Sequence, residues 1–139
     1  MLTIYPACFF KEEKGYSVVF PDLNWLATQG KNENDAMKMA VECLAEYLYF
    51  LEKMGEKAPK PSEMKEINLN QVAKELDIDV VDSFVNLVSV NVSEYAAEHF
   101  EKSVKKTLTI PVWLNSAAQE RNINFSQTLQ EALIAKIKI

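Results

Sequence analysis

The chain has 139 residues, enough for one compact domain or two small ones. Apolar residues make up 48%, with only 3 glycines and 5 prolines, which excludes wholesale disorder, a collagen-like repeat and a low-complexity tract. The formal charge is −5, from 20 acidic against 15 basic side chains, a total that by itself does not suggest a nucleic-acid binder.

The distribution of charge says more than the total. Residues 1–60 sum to −2, residues 61–103 to −6 and residues 104–139 to +3, so an acidic body is followed by a basic tail, and partners of opposite sign are expected. Cys8 and Cys43 lack C-x-x-C spacing and His99 is the one histidine, so a four-ligand zinc site cannot be assembled without carboxylates. The cysteines read as small buried hydrophobes. Met1-Leu2-Thr3-Ile4-Tyr5 has no basic stretch and does not read as a secretory signal. No window approaches the ~18 apolar residues of a membrane helix. A cytoplasmic, membrane-free protein with no cofactor is expected.

In chain order, Leu2 to Phe10 and Tyr16 to Phe20 predict two strands around the charged turn Lys11–Gly15, a hairpin. Pro21-Asp22-Leu23-Asn24 predicts a turn, and Trp25 to Gln29 a short third strand broken by Gly30. Asn32 can cap the helix that follows. Ala36, Ala40, Leu44, Tyr47, Leu51 and Met54 then fall on one helical line, widened by Met37, Cys43 and Leu48. The opposite face carries Asp35, Lys38, Glu42, Glu46, Tyr49 and Lys53, and Gly55, Pro59 and Pro61 end the helix.

Residues 56–83 are weakly patterned. Gln71 to Leu76 fits one or two helical turns, and residues 59–83 fit a segment that orders on a partner. Phe84 to Val92 alternates and is rich in β-branched residues, which predicts a strand. Ser93 to Lys102 is polar, a hinge or a connecting helix. Domain bounds of 1–92 and 104–139 with a linker at 93–103 follow.

The tail changes character. Lys105 to Ile110 alternates as a short strand, Pro111 opens a helix to Glu120, Arg121 to Phe125 turns, and Ser126 is placed to cap a helix from Gln127 to about Ile137. Some 35 residues of strand, helix and helix cannot bury a core alone. Two copies pairing their strands into one antiparallel ribbon would bury Leu108, Ile110, Leu129 and Leu133. Lys105, Thr107 and Thr109 would then face outward together. A two-stranded ribbon fits the major groove of B-DNA, and the helix start at Ser126 and Gln127 offers N–H groups to a phosphate. These residues resemble the ribbon-helix-helix family, on Leu-Thr-Ile-Pro at 108–111 and Phe-Ser-Gln-Thr-Leu-Gln-Glu-Ala-Leu at 125–133.

Three stretches in the first half carry a second resemblance: Tyr5-Pro6-Ala7, Gly15-Tyr16-Ser17-Val18-Val19-Phe20-Pro21-Asp22-Leu23, and Thr28-Gln29-Gly30 before a helix. Their order and spacing are similar to the HicB antitoxin family. The likeness covers residues 1–58 and 84–137 and is thin over 59–83. It departs at Asn24-Trp25-Leu26, where the family usually carries Pro-Gly and then a small residue or Cys. That departure bears on the local turn type but not on the hairpin.

The resemblance implies an α+β chain. A partial RNase-H-like domain, a small antiparallel sheet with one long helix completed by the strand at 84–92, would precede a dimeric ribbon-helix-helix domain. It implies an antitoxin that neutralises a small RNA-cleaving HicA-type toxin and represses its own operon at operator DNA. A homodimer is expected, with a dimer of dimers left open. An RNA-cutting toxin must be basic, and the −8 of residues 1–103 is suited to meet it. Tyr49 and Trp25 are the candidate apolar anchors, with Glu42, Glu46 and Asp22 as acidic contacts.

Catalysis is not expected. Glu12, Glu13 and Asp22 sit in or beside turns rather than converging from strands, as metal-dependent hydrolysis requires. His99 has no neighbouring nucleophile, and the glycines are isolated. Two other readings stay open at this level: a ribbon-helix-helix regulator with a ligand-sensing first domain, and a small hydrolase with a reduced site.

Overall fold

The computed structural model describes residues 1–138. The chain divides into two compact units, one of residues 1–102 and one beginning at Ser103. In the first unit, β1 (Thr3–Glu12), β2 (Gly15–Phe20), β3 (Leu26–Gly30) and β4 (Phe84–Val90) form one sheet in the order β3-β2-β1-β4. Every neighbouring pair is antiparallel. The hairpin turn is tighter than the charged run suggested. Glu12 pairs with Gly15, so two residues make the turn, and Gly15 takes φ 97°.

Helix α1 (Glu33–Lys53) lies on one face of the sheet. Asn32 caps it by accepting the Asp35 N–H at 2.8 Å, and the Asp35 carboxylate accepts the Lys31 N–H in return. The core there gathers Tyr5, Ala7, Phe9, Val18, Phe20 and Leu23 against Ala36, Ala40, Leu44, Ala45 and Leu48. Phe9, Phe20, Leu23 and Leu44 are fully buried, each contributing roughly 1.5–3 kcal/mol. Ala45 was not on the predicted stripe.

The other face of the sheet is covered too. Residues 56–83, which sequence left open to partner-induced order, fold in place. Glu63 and Glu66 form a reciprocal capping box around a single 3-10 turn, and Asn68 caps α2 (Leu69–Leu76). Val72 and Ala73 of α2 bury Cys8, Phe10 and Val19, with Ile67, Leu69, Ile78, Val80 and Val85 at the margin. Successive residues of β1 therefore point into two different cores. That is why Tyr5 through Phe10 is apolar without alternation and buried throughout.

The strand expected over 84–92 stops at Val90. Asn91 turns the chain by accepting the Glu94 N–H, and α3 (Val92–His99) begins. Of the two alternatives left for Ser93 to Lys102, a hinge or a connecting helix, a helix forms. Ala96 is buried, and Tyr95 and Phe100 pack against the α1 core, so the first unit runs to Lys102.

In the second unit, α4 (Val112–Glu120) and α5 (Phe125–Ile137) stand where expected. Asn122, at φ 54°, closes α4, with the Ile123 N–H on the Ala118 carbonyl. The cap of α5 is Asn124, not Ser126: the Asn124 side chain accepts the Gln127 N–H at 3.0 Å. Residues 103–111 join no strand ladder among the described residues, so the strand predicted at 105–110 is not formed in the single copy. A lone strand has no ladder to close. Among the described residues no helix is long and apolar enough to cross a membrane, and no group of three or more His, Cys, Asp or Glu side chains is placed to hold a metal ion.

Candidate protein and nucleic-acid interfaces

The five residues singled out as acidic or aromatic contacts separate into two regions. Glu42, Glu46 and Tyr49 share a flank of α1, but α3 covers part of it. Tyr49 packs on Phe100 with ring centroids 5.3 Å apart, and the Lys53 ammonium lies 5.0 Å from its ring. Tyr95 of α3 reaches the same carboxylates: burial, then the charges of Glu42 and Glu46, push its phenol up from its ordinary value. The flank is thus largely spent on docking α3, and Tyr49 is half-buried rather than a free anchor. His99 is exposed, stacked on Tyr95 with its Nδ1 3.0 Å from the Tyr95 carbonyl.

Asp22 is committed inside the fold. Its carboxylate accepts the Ser62 N–H at 2.7 Å and the Ser62 hydroxyl at 2.8 Å, and Tyr5 donates its hydroxyl to the Pro59 carbonyl. Together they pin the segment after α1, which gives Asp22 a structural role within the first unit.

Trp25 differs. It is 40% exposed and, with Asn24, adopts positive φ, 60° and 56°. The left-handed conformation costs a non-glycine residue about 1–2 kcal/mol. The turn type is therefore the one a glycine would adopt, retained although a tryptophan stands there. Trp25 lines an open groove of about 520 Å³ with Ser17, Val19, Ala27, Thr28 and Gln29 from the β2–β3 side and Leu76 and Ile78 from the end of α2. Sequence reasoning missed Leu76 and Ile78, because α2 was only weakly patterned.

Among the described residues of the second unit no side chain is buried. Leu108 is 62% exposed, Trp113 71% and Leu133 52%, and Ile110, Leu114, Phe125 and Ile137 are exposed as well, while Leu129 is half-buried. Lys105, Thr107 and Thr109 lie in the unpaired segment before α4, exposed. Ser126 falls in the first turn of α5. Gln127 is tied at both ends, its N–H on Asn124 and its amide nitrogen 3.1 Å from Glu131. The free donors at this helix start are therefore the Phe125 and Ser126 N–H groups rather than Gln127.

Comparison with known proteins agrees with this arrangement. Residues 4–72 match the family described as HicB_like antitoxin of bacterial toxin-antitoxin system. A solved chain from a toxin-antitoxin complex of Streptococcus pneumoniae is 36% identical, with 98% of this chain and 99% of that one covered and a TM-score of 0.65. The HicB antitoxin of Burkholderia pseudomallei shares the fold at 22% identity, over 95% of this chain and 96% of that one, with a TM-score of 0.51. No curated protein matches. The stretches that resembled HicB in the sequence fall on β1, on β2 with the turn after it, and on β3 before α1, and the chain belongs to the HicB-like antitoxin family of bacterial toxin–antitoxin systems.

Proposed function

We propose that this antitoxin binds and neutralises a small HicA-type RNA-cleaving toxin through its first unit, a partial RNase-H-like fold, and represses its own operon through its second. The second unit pairs with another copy as a ribbon-helix-helix dimer: residues 105–110 of two chains form one ribbon, with α4 and α5 of both beneath it. Lys105, Thr107 and Thr109 enter the major groove, and the start of α5 meets a phosphate. Both activities belong to the cytoplasm, where messenger and operator lie.

The observation that carries the dimer is the absence of any buried side chain in the second unit beside its many exposed apolar residues. A helical pair with that surface does not stand alone in water. Leu108, Ile110, Leu129 and Leu133 supply the shared core. The acidic first unit, −8 over residues 1–103, supports attraction to a basic toxin.

Three measurements test this. The toxin encoded beside this gene co-purifies with it and its growth arrest is relieved. Sedimentation gives a dimer at micromolar concentration, which Leu108→Pro abolishes by removing a ribbon hydrogen bond and a core side chain together. In gel shifts, Lys105→Ala weakens all sequences alike and flattens the salt slope by about one unit. Thr107→Ala instead relaxes preference at one position by ~1 kcal/mol. A monomer with an ordered second unit, or equal binding by both variants, refutes the ribbon.

A further inference from the structure

The groove at Trp25 combines features that usually exclude one another in a free surface. Its floor is apolar (Val19, Ala27, Leu76 and Ile78), and the indole at its wall is held in a backbone conformation that the residue itself disfavours. Its rim is acidic. Asp77 stands between the two lining residues Leu76 and Ile78, with Glu75 and Asp79 on either side, and Glu12 accepts a hydrogen bond from the lining residue Ser17. Lys74 is the cation nearest them along the chain. The groove also opens along β3, the outermost strand on that side of the sheet.

We propose that this groove, and not the α1–α3 flank, is where the toxin docks: an extended basic segment of the toxin lies along β3 and seats an apolar side chain between Trp25, Leu76 and Ile78. The inference rests on the toxin-binding reading above and names its site. An apolar slot whose α2-side lining residues alternate with carboxylates along the chain suits an apolar side chain flanked by lysine or arginine, which a ribonuclease holding phosphates carries in excess. Fixing Trp25 in the left-handed region aims a large rigid surface without further ordering on binding. The α1–α3 flank offers no equivalent, since its aromatic rings are already packed on each other.

The test uses the full chain and a catalytically inactive variant of the HicA-type toxin of its own operon, with affinity and rates followed by surface interferometry. Trp25→Gly keeps the turn, because glycine accepts positive φ, and removes the anchor. Leu76→Lys alters an exposed residue at the end of α2, with folding checked by circular dichroism. Each is expected to weaken binding at least 30-fold, chiefly through faster dissociation. The pair Asp77→Asn and Asp79→Asn slows association and flattens its salt dependence, and Glu46→Gln stays within threefold of wild type. If wild type binds and both groove variants bind within threefold, or if Glu46→Gln alone loses affinity, the groove is not the site although the antitoxin reading stands. If wild type itself does not bind, that reading falls and this inference with it.

Discussion

Gly30→Ala tests how the first unit is held together. Gly30 ends β3 where the first turn of α1 crosses it. A methyl group there would lie 2.8 Å from the Asp35 carbonyl carbon and nearer still to the Ala36 nitrogen and Cα. Those are backbone atoms, and Ala36 and Ala40 behind them are fully buried, so the start of the helix must withdraw as a body. Overpacking of this kind costs about 1–3 kcal/mol where side chains yield, and more where backbone must shift. Displacing the Asn32 cap adds about 1 kcal/mol. A loss of roughly 3–5 kcal/mol follows, a large part of the ~5–15 kcal/mol that stabilises an ordinary domain. Gly55→Ala is the control. Gly55, unlike Gly30, has positive φ, 71°, and nothing lies within 4 Å of the added carbon. Its cost is the left-handed conformation alone, about 1–2 kcal/mol, partly offset by a stiffer unfolded chain. The assay is urea unfolding followed by fluorescence in a Trp113→Phe background, which leaves Trp25 as the one indole, reporting the first unit. Equal midpoints for the two glycine variants would refute the steric argument.

Two further outcomes concern the same unit. Asp22→Ala leaves the Ser62 N–H and hydroxyl without their acceptor and should cost about 1–3 kcal/mol. Hydrogen exchange should rise first around residues 59–66, and uniform protection loss across the sheet would contradict a local tether. Burial pushes the Cys8 thiol up to about 11 from an ordinary value of 9.0. The folded state therefore resists ionisation that the unfolded chain undergoes, so the Cys8 contribution to stability is constant below pH 9 and declines between 9 and 11, alongside a further decline from Cys43, whose thiol is also raised by burial. Cys8→Ala should flatten that decline, and an unchanged slope would remove Cys8 as its cause.

Hydrophobic periodicity exposed α1 and the apolar face of α5, while the Gly15 turn and Pro111 marked the hairpin and the start of α4. It failed where a second layer intervened. The unbroken apolar run Tyr5–Phe10 was itself the sign of a sheet covered on both faces, but α2, eight residues long, has too few turns to show a stripe. Ala45 and Tyr49 belong to a side of α1 that looks polar until α3 is laid upon it, and only long-range packing places α3 there. Helix starts were more legible than the reading made them. Asn32, Asn68, Asn91 and Asn124 each accept the N–H three residues on, so one rule marks four of the five helices, and preferring Ser126 over Asn124 was the error. Of the candidate contacts, Trp25 was visible as a departure from a family pattern. The structural role of Asp22 was not legible, because a carboxylate in a turn gives no hint that its partner, Ser62, lies 40 residues away.

The two units differ in what they need, and this bears on regulation. The first completes its core from its own residues on both faces of the sheet. The second buries no side chain among its described residues, so on the proposed reading its DNA-binding element would exist only while two copies are joined. If the ribbon is the DNA-binding element, operator occupancy at protomer concentrations below the dimer constant must rise as the square of concentration. Toxin binding, drawn from a self-sufficient unit, must rise linearly. A modest fall in antitoxin would then relieve repression before it releases toxin. Logarithmic titrations of operator and toxin with the same preparation should give slopes of about 2 and about 1 by this mass-action argument. A slope near one for the operator would mean that a single copy suffices and that the exposed apolar face of α4 and α5 has some other use.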